Sequence, residues 1–187
     1  MIPVLEQMEV LQDFTKRLEQ LNIAYMLTGS MAMVHYAMPR MTADIDIVIE
    51  LNSSRADEII GHFEPEYYIP HSSMRSAISR KTMFNMLHEK TLVKVDCVLR
   101  KTDDFQTTAF NRRRKVDFAG FDLWIISHED LILAKMIWAK KTDSEMQLRD
   151  VANLLRSAVD MDYLEIWSTE LEVDETLAEI LKKLNDE

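Results

Sequence analysis

The sequence predicts an α/β fold, a mixed β-sheet flanked by helices, with a C-terminal helical extension. Three observations carry this. Apolar residues recur at helical spacing in the N-terminal segment and in several later ones. Short Ile/Val-rich runs of strand length lie between the early helical segments. From Ser127 onward the strand pattern stops and only helical patterning remains. The chain therefore divides into an α/β core over 1–126 and a helical region over 127–187, packed on or beside that core.

Taken in order, Leu5, Met8, Leu11, Phe14, Leu18 and Leu21 form one stripe, which predicts a helix over 4–21. A β-type run over 23–27 leads into Thr28-Gly29-Ser30, and a short helix over 31–37 ends before Pro39, because the residue preceding a proline avoids the helical region. Residues 43–51 form a strand. Ser54 with Asp57 reads as a capping box for a helix over 55–63. Pro65 and Pro70 make 64–73 an irregular connection, and a short helix follows over 74–79. Strands over 82–88 and 92–99 flank a hairpin turn at Glu89-Lys90, a helix covers 104–114, and Ala119-Gly120 separates the strands of a second hairpin over 116–118 and 123–126. In the tail, Ser127 with Asp130 caps a helix over 131–141, and Thr142 with Glu145 caps one over 146–157. Two more helices cover 163–170 and 175–184.

Composition sets the class. The 187 residues, 47% hydrophobic and 29% charged, suffice for one sizeable core. Only 3 Gly and 4 Pro leave little room for low-complexity segments. The single cysteine, Cys97, excludes an intramolecular disulfide and suits a reducing compartment. No apolar run reaches the roughly 18 residues of a membrane span, and the N-terminus lacks a signal pattern, so a cytoplasmic protein with no membrane partner is expected. A net charge of −10 argues against non-specific coating of nucleic acid, which requires phosphate neutralisation. The basic run Arg112-Arg113-Arg114-Lys115 reads either as a solvated helix end or as a contact for a phosphate-bearing substrate.

The chemistry concentrates between Leu27 and Glu50. Asp44 and Asp46, two apart on a strand, leave the same face, while Ile45, Ile47 and Ile49 take the other. Two acids on a greasy strand are costly unless a positive charge sits between them. Hard oxygen donors without His or Cys spacing point to Mg²⁺ or Mn²⁺ rather than zinc. Asp96, isolated in another β-rich run and sharing a face with Lys94, completes a three-carboxylate set if the two strands are neighbours. Otherwise Lys94 and Asp96 are a surface pair of little energetic weight. Gly29-Ser30 precedes a helix, where free N–H groups and a close backbone approach suit phosphates; the same pair also serves as an ordinary turn. In the tail, Lys135 lies on one helix face with Leu131, Ala134 and Trp138, either snorkelling to water or aimed at the acid cluster.

These residues carry a resemblance. Gly29-Ser30, then Asp44-x-Asp46 followed by apolar residues, then a lone Asp96 on a later strand, is similar to the DNA-polymerase-β-type nucleotidyltransferases over roughly residues 23–99. Arg40-x-Thr42-x-Asp44-x-Asp46 and the helical segment after Glu129 resemble AbiEii-like, toxin-type members most closely; lincosamide and aminoglycoside nucleotidyltransferases also place an Arg ahead of the acids. The interval from Gly29 to Asp44 is longer than in minimal antitoxin-type members and lacks their Arg-Gly. The resemblance implies that Asp44, Asp46 and Asp96 are catalytic and bind metal, with Asp96 assisting deprotonation. It also implies that Gly29, Ser30, Arg40, Thr42 and Lys135 contact or brace the nucleotide, and that Asp150, of the pair Arg149-Asp150, positions Lys135 or the nucleotide. The expected reaction moves an NMP from an NTP to a hydroxyl or phosphate acceptor, on tRNA, protein or a small molecule; an antitoxin partner is a further expectation. A catalytically inactive partner-binding relative and a nucleotide hydrolase are the alternatives.

Overall fold

The structure, a computed structural model, describes residues 4–38, 42 and 44–186. Helix α1 (Val4–Gln20) precedes strand β1 (Tyr25–Thr28), which passes directly into α2 (Gly29–Tyr36). Strand β2 (Asp44–Ile49), α3 (Ala56–Phe63), the two-residue β3 (Tyr67–Tyr68) and α4 (His71–Arg80) follow. Strands β4 (Met83–His88) and β5 (Lys94–Leu99) form the first hairpin. Helix α5 (Asp104–Asn111) leads to the second hairpin, β6 (Arg114–Phe118) and β7 (Phe121–Ile125). The tail is α6 (His128–Thr142), α7 (Glu145–Leu154), α8 (Met161–Glu170) and α9 (Asp174–Asn185).

Among the described residues, seven strands form one sheet in the order β3-β4-β5-β2-β1-β7-β6. It is mixed: β1 pairs antiparallel with β2 and parallel with β7, while β2 pairs parallel with β5. The central strands are buried on their apolar faces, as their Ile/Val content requires. One apolar cluster runs from Val10 and Phe14 of α1 through Ile45, Ile47 and Val95 to Leu131, Val151 and Leu177 of the tail. Among the described residues no helix is long and apolar enough to cross a membrane.

Several boundaries differ from the sequence expectation, each for a local reason. Asn52, not Ser54, caps the α3 segment: its side chain accepts from the Ser54 N–H, and a 3₁₀ turn intervenes before the α-helix starts. The connection over 64–73 contains β3, which adds to the sheet edge through Tyr67 opposite His88. Helix α5 stops at Asn111, and Thr142 does not cap α7, because its hydroxyl bonds back to the Trp138 carbonyl and Ser144 takes the N-cap position. Ser127 does cap α6, through the Asp130 N–H.

The basic run is structural at its start. Arg112 donates to Asp130 (3.1 Å) and Glu129 (3.1 Å), and its guanidinium lies 3.8 Å from the Tyr163 ring centroid. Asp130, fully buried at 0% exposure, also accepts from the Ser127 and Tyr163 hydroxyls, both at 2.6 Å. One carboxylate thus ties the end of α5 to α6 and α8. Asp130→Ala removes the buried carboxylate to which Arg112 and the Ser127 and Tyr163 hydroxyls all donate, so a loss of about 3–5 kcal/mol in urea unfolding is expected. Arg149→Ala, which removes an exposed pair with Glu145, should leave the unfolding midpoint in place.

Candidate active site

Strand register builds the site. Thr28 of β1 faces Asp46 of β2; across the other edge of β2, Asp46 faces Asp96 and Asp44 faces Lys94. Alternation puts these four charged residues on one face, while Ile45, Ile47, Val95 and Cys97 enter the core. Burial pushes the Cys97 thiol up, so it is an inert core group.

Gly29 makes room for Asp46. Its φ is +65°, and a Cβ built on it would fall 2.0 Å from the Asp46 Oδ2 and 2.8 Å from the Asp46 Cβ. Only glycine satisfies both the backbone angle and the approach. Ser30, buried in the first turn of α2, follows at the helix end where unpaired N–H groups gather. The turn is therefore packed directly against an acid, which a mere chain reversal does not require.

Each acid has a distinct environment. The Asp96 carboxylate is held at both oxygens: Asn85 of β4, its cross-strand neighbour, donates to Oδ1 at 2.9 Å, and the Lys94 ammonium lies 3.1 Å from Oδ2. Lys94 also lies 3.2 Å from the Asp44 Oδ2, and Asp44 is more open than Asp96. Burial first, then the Asp96 and Asp44 charges, push Asp46 up to about 6 against the pull of Lys135 and Lys94.

Lys135, on α6, lies near enough for its charge to pull the Asp46 pKa down. It is 4% exposed, so it does not snorkel; its ammonium lies 2.7 Å from the Asp150 Oδ2 and donates to the Gln147 Oε1 at 3.2 Å. Asp150 holds Lys135 across the α6–α7 pair. Specific bonds join α2 and the residues after it to the tail and to the residue after β7: Asn153 donates to the Met38 carbonyl at 2.7 Å, and the Tyr36 hydroxyl to the Ile126 carbonyl at 2.6 Å. Tyr36 also stacks on His128, with centroids 4.7 Å apart and planes within 8°. Thr42 is braced from α1, where the buried Gln7 side chain donates to its carbonyl at 2.7 Å. Arg40 lies outside the described residues. Asn85, Gln7 and Gln147 escaped the sequence reading. Asn85 carried a faint signal, a polar residue between Met83 and Leu87 on one strand face, but only register reveals its partner.

Among the described residues, no group of three or more His, Cys, Asp or Glu side chains is already gathered on one point as a metal would require. The Asp44 and Asp96 carboxylates close instead on an ammonium, which stands in for a cation. The donor set, three carboxylates on two adjacent strands with Asp46 raised by burial and then by the charges of Asp96 and Asp44, offers hard oxygen donors only.

Residues 1–185 fit a family described as "Nucleotidyltransferase of unknown function (DUF6036)", and the chain belongs to that family. No curated protein sequence matches it. Among solved structures, it is similar in fold to an antigenic nucleotidyltransferase-like protein from Paracoccidioides brasiliensis, at 18% identity and a TM-score of 0.60 over 95% of this chain and 88% of that one. The antibiotic-resistance factor ANT(2'')-Ia superposes with a TM-score of 0.61 at 11% identity, over 97% of this chain and 96% of that one. Lincosamide antibiotic adenylyltransferase LnuA, bound to lincomycin, gives 0.53 at 17% identity, over 82% of this chain and 96% of that one.

Two outcomes follow from the packing and the charge. Gly29→Ala should cost roughly 1–3 kcal/mol in urea unfolding from backbone strain alone, with a further loss from displacing Asp46; an unchanged midpoint would refute the close approach. A raised acid pKa means the folded state holds its proton more tightly than the unfolded chain. The associated stability is present below about pH 4 and lost as pH climbs through about 6. Asp46→Asn should therefore raise the melting temperature of the metal-free protein at pH 7.5, and the gain should shrink towards pH 4.

Proposed function

We propose that this chain transfers a nucleoside monophosphate from an NTP to an acceptor hydroxyl, with a divalent cation, Mg²⁺ or Mn²⁺, bound at Asp44, Asp46 and Asp96. The observation that carries this reading is the register of β2 on β5, which sets Asp46 against Asp96 with Asp44 two residues along the same face. In this reading residues 1–126 hold the acids and 127–187 close over them with Lys135. The bound cation would supply charge neutralisation at the phosphates.

The chain's own residues account for the rest. Gly29 and Ser30 present backbone N–H groups at the start of α2 to the triphosphate, with Lys135 contributing positive charge nearby and Asp150 keeping it placed. Thr42, two residues ahead of Asp44, is tied to α1 by Gln7, and Arg40 precedes it in the sequence as a further candidate phosphate contact. Asp96, oriented by Asn85, takes the proton from the acceptor hydroxyl. The acceptor oxygen bonds to the α-phosphorus, the bond from that phosphorus to the bridging oxygen of the β-phosphate breaks, and pyrophosphate leaves. Positioning and electrostatics, rather than covalent chemistry by the protein, lower the barrier.

The net charge of −10 favours a small or cationic acceptor over an extended polyanion such as tRNA. Lincomycin in the LnuA structure and adenylyl-2''-tobramycin in an ANT(2'')-Ia structure are small hydroxyl-bearing compounds bound by proteins of this fold. The test is incubation with each α-labelled NTP, Mg²⁺ and pools of aminoglycoside, lincosamide, RNA and protein acceptors. A labelled acceptor is expected, with labelling lost in both Asp44→Ala and Asp46→Ala. Retention in either variant sinks the acid-site reading, and release of free NMP with every acceptor unlabelled makes the protein a hydrolase.

A further inference from the structure

Lys94 is the feature of the site that the proposed reaction does not use. It sits directly opposite Asp44 on the neighbouring strand, and its ammonium lies between two carboxylates, 3.2 Å from Asp44 and 3.1 Å from Asp96. It therefore stands where positive charge is needed, among three carboxylates that a single ammonium only partly offsets. Lys135, the other nearby cation, is engaged by Asp150 and Gln147.

Two features make the Lys94 contact suited to exchange. Its side chain is 37% exposed, against 10% for that of Asp96, so a route to solvent is open and the four-carbon stem can follow it. Asp96 keeps its orientation without Lys94, because Asn85 holds the opposite oxygen, Oδ1. Withdrawal of the ammonium frees Oδ2 of Asp96 and Oδ2 of Asp44 together and leaves the Asp96 carboxylate aimed as before. A lysine placed only for stability gains nothing from such an arrangement.

We propose that Lys94 is a resident counter-ion that holds the acid cluster together in the metal-free protein and must be displaced before a divalent cation binds. Lys94 thus sets the affinity of the metal site, rather than acting on substrate. This rests on the metal-dependent reading above. Each metal ion that binds does so at the expense of two ammonium–carboxylate contacts, and removing the ammonium both abolishes that competition and heightens the repulsion that a metal relieves.

The test is a titration of the full chain with Mn²⁺ alone, followed by the electron paramagnetic resonance of the free ion, for wild type, Lys94→Met and Lys94→Gln at fixed pH and ionic strength. Both neutral variants are expected to bind Mn²⁺ about tenfold more tightly or better. Their metal-free melting temperatures should lie below that of wild type, with the gap closing as Mn²⁺ saturates. Lys94→Arg, which keeps the charge, should bind no more tightly than wild type. Mn²⁺ binding of unchanged or weaker affinity in both neutral variants overturns the counter-ion role and leaves the metal site standing. No Mn²⁺ binding by any of the four proteins overturns the metal reading itself, and the counter-ion role with it.

Discussion

Three carboxylates on one face of a sheet repel one another, and the repulsion grows with burial because water no longer screens it. Asp46 bears most of this, lodged between Asp44, Asp96 and the turn at Gly29. A chain selected only for stability would place Thr or Ser at such positions. Keeping three acids there sets requirements on every neighbouring element: an absent side chain at residue 29, an amide at residue 85, and cations at residues 94 and 135.

The architecture meets those requirements with rigid parts. Ile45, Ile47, Val95 and Cys97 bury the opposite face of the same two strands, so neither strand can slip by one residue without exposing its core side. The hydrophobic effect thereby holds the acids in register. The helical tail then packs on the end of α2 and the residues just after it, through Tyr36 on His128 and Asn153 on Met38. Burial also keeps His128 below its usual pKa, so that stacking contact is between neutral rings. Asp130 braces the junction from below with Arg112 and Tyr163.

Much of this was legible in the sequence, and the reasons are local. Period-two alternation separates Asp44 and Asp46 from the isoleucines without any knowledge of partners, and Asp96 stands out as the one acid in its β-rich run. Helix positions in the tail follow from apolar spacing and from the Ser127 cap, whereas Thr142 misled because its hydroxyl turns back to its own helix. What escaped depended on pairing across distance. Nothing near Asn85 announces Asp96 as its partner, and Gln7 reads as an ordinary helix residue until its contact with Thr42 is seen. Lys94 and Asp96 were legible as neighbours on one face, but the bridge to Asp44 needed the parallel register of β2 and β5. The run from Arg112 to Lys115 misled for the same reason: Arg112 answers to buried acids on α6, which no sequence window around it contains.

The central claim is that the acid face holds a nucleotide through a divalent cation. The most direct measurement is calorimetric titration of the wild-type chain with a non-hydrolysable NTP analogue, in excess Mg²⁺ and again in EDTA. Saturable binding in Mg²⁺ that disappears in EDTA is the expected result. Equal affinity in both, or no binding in either, would contradict it.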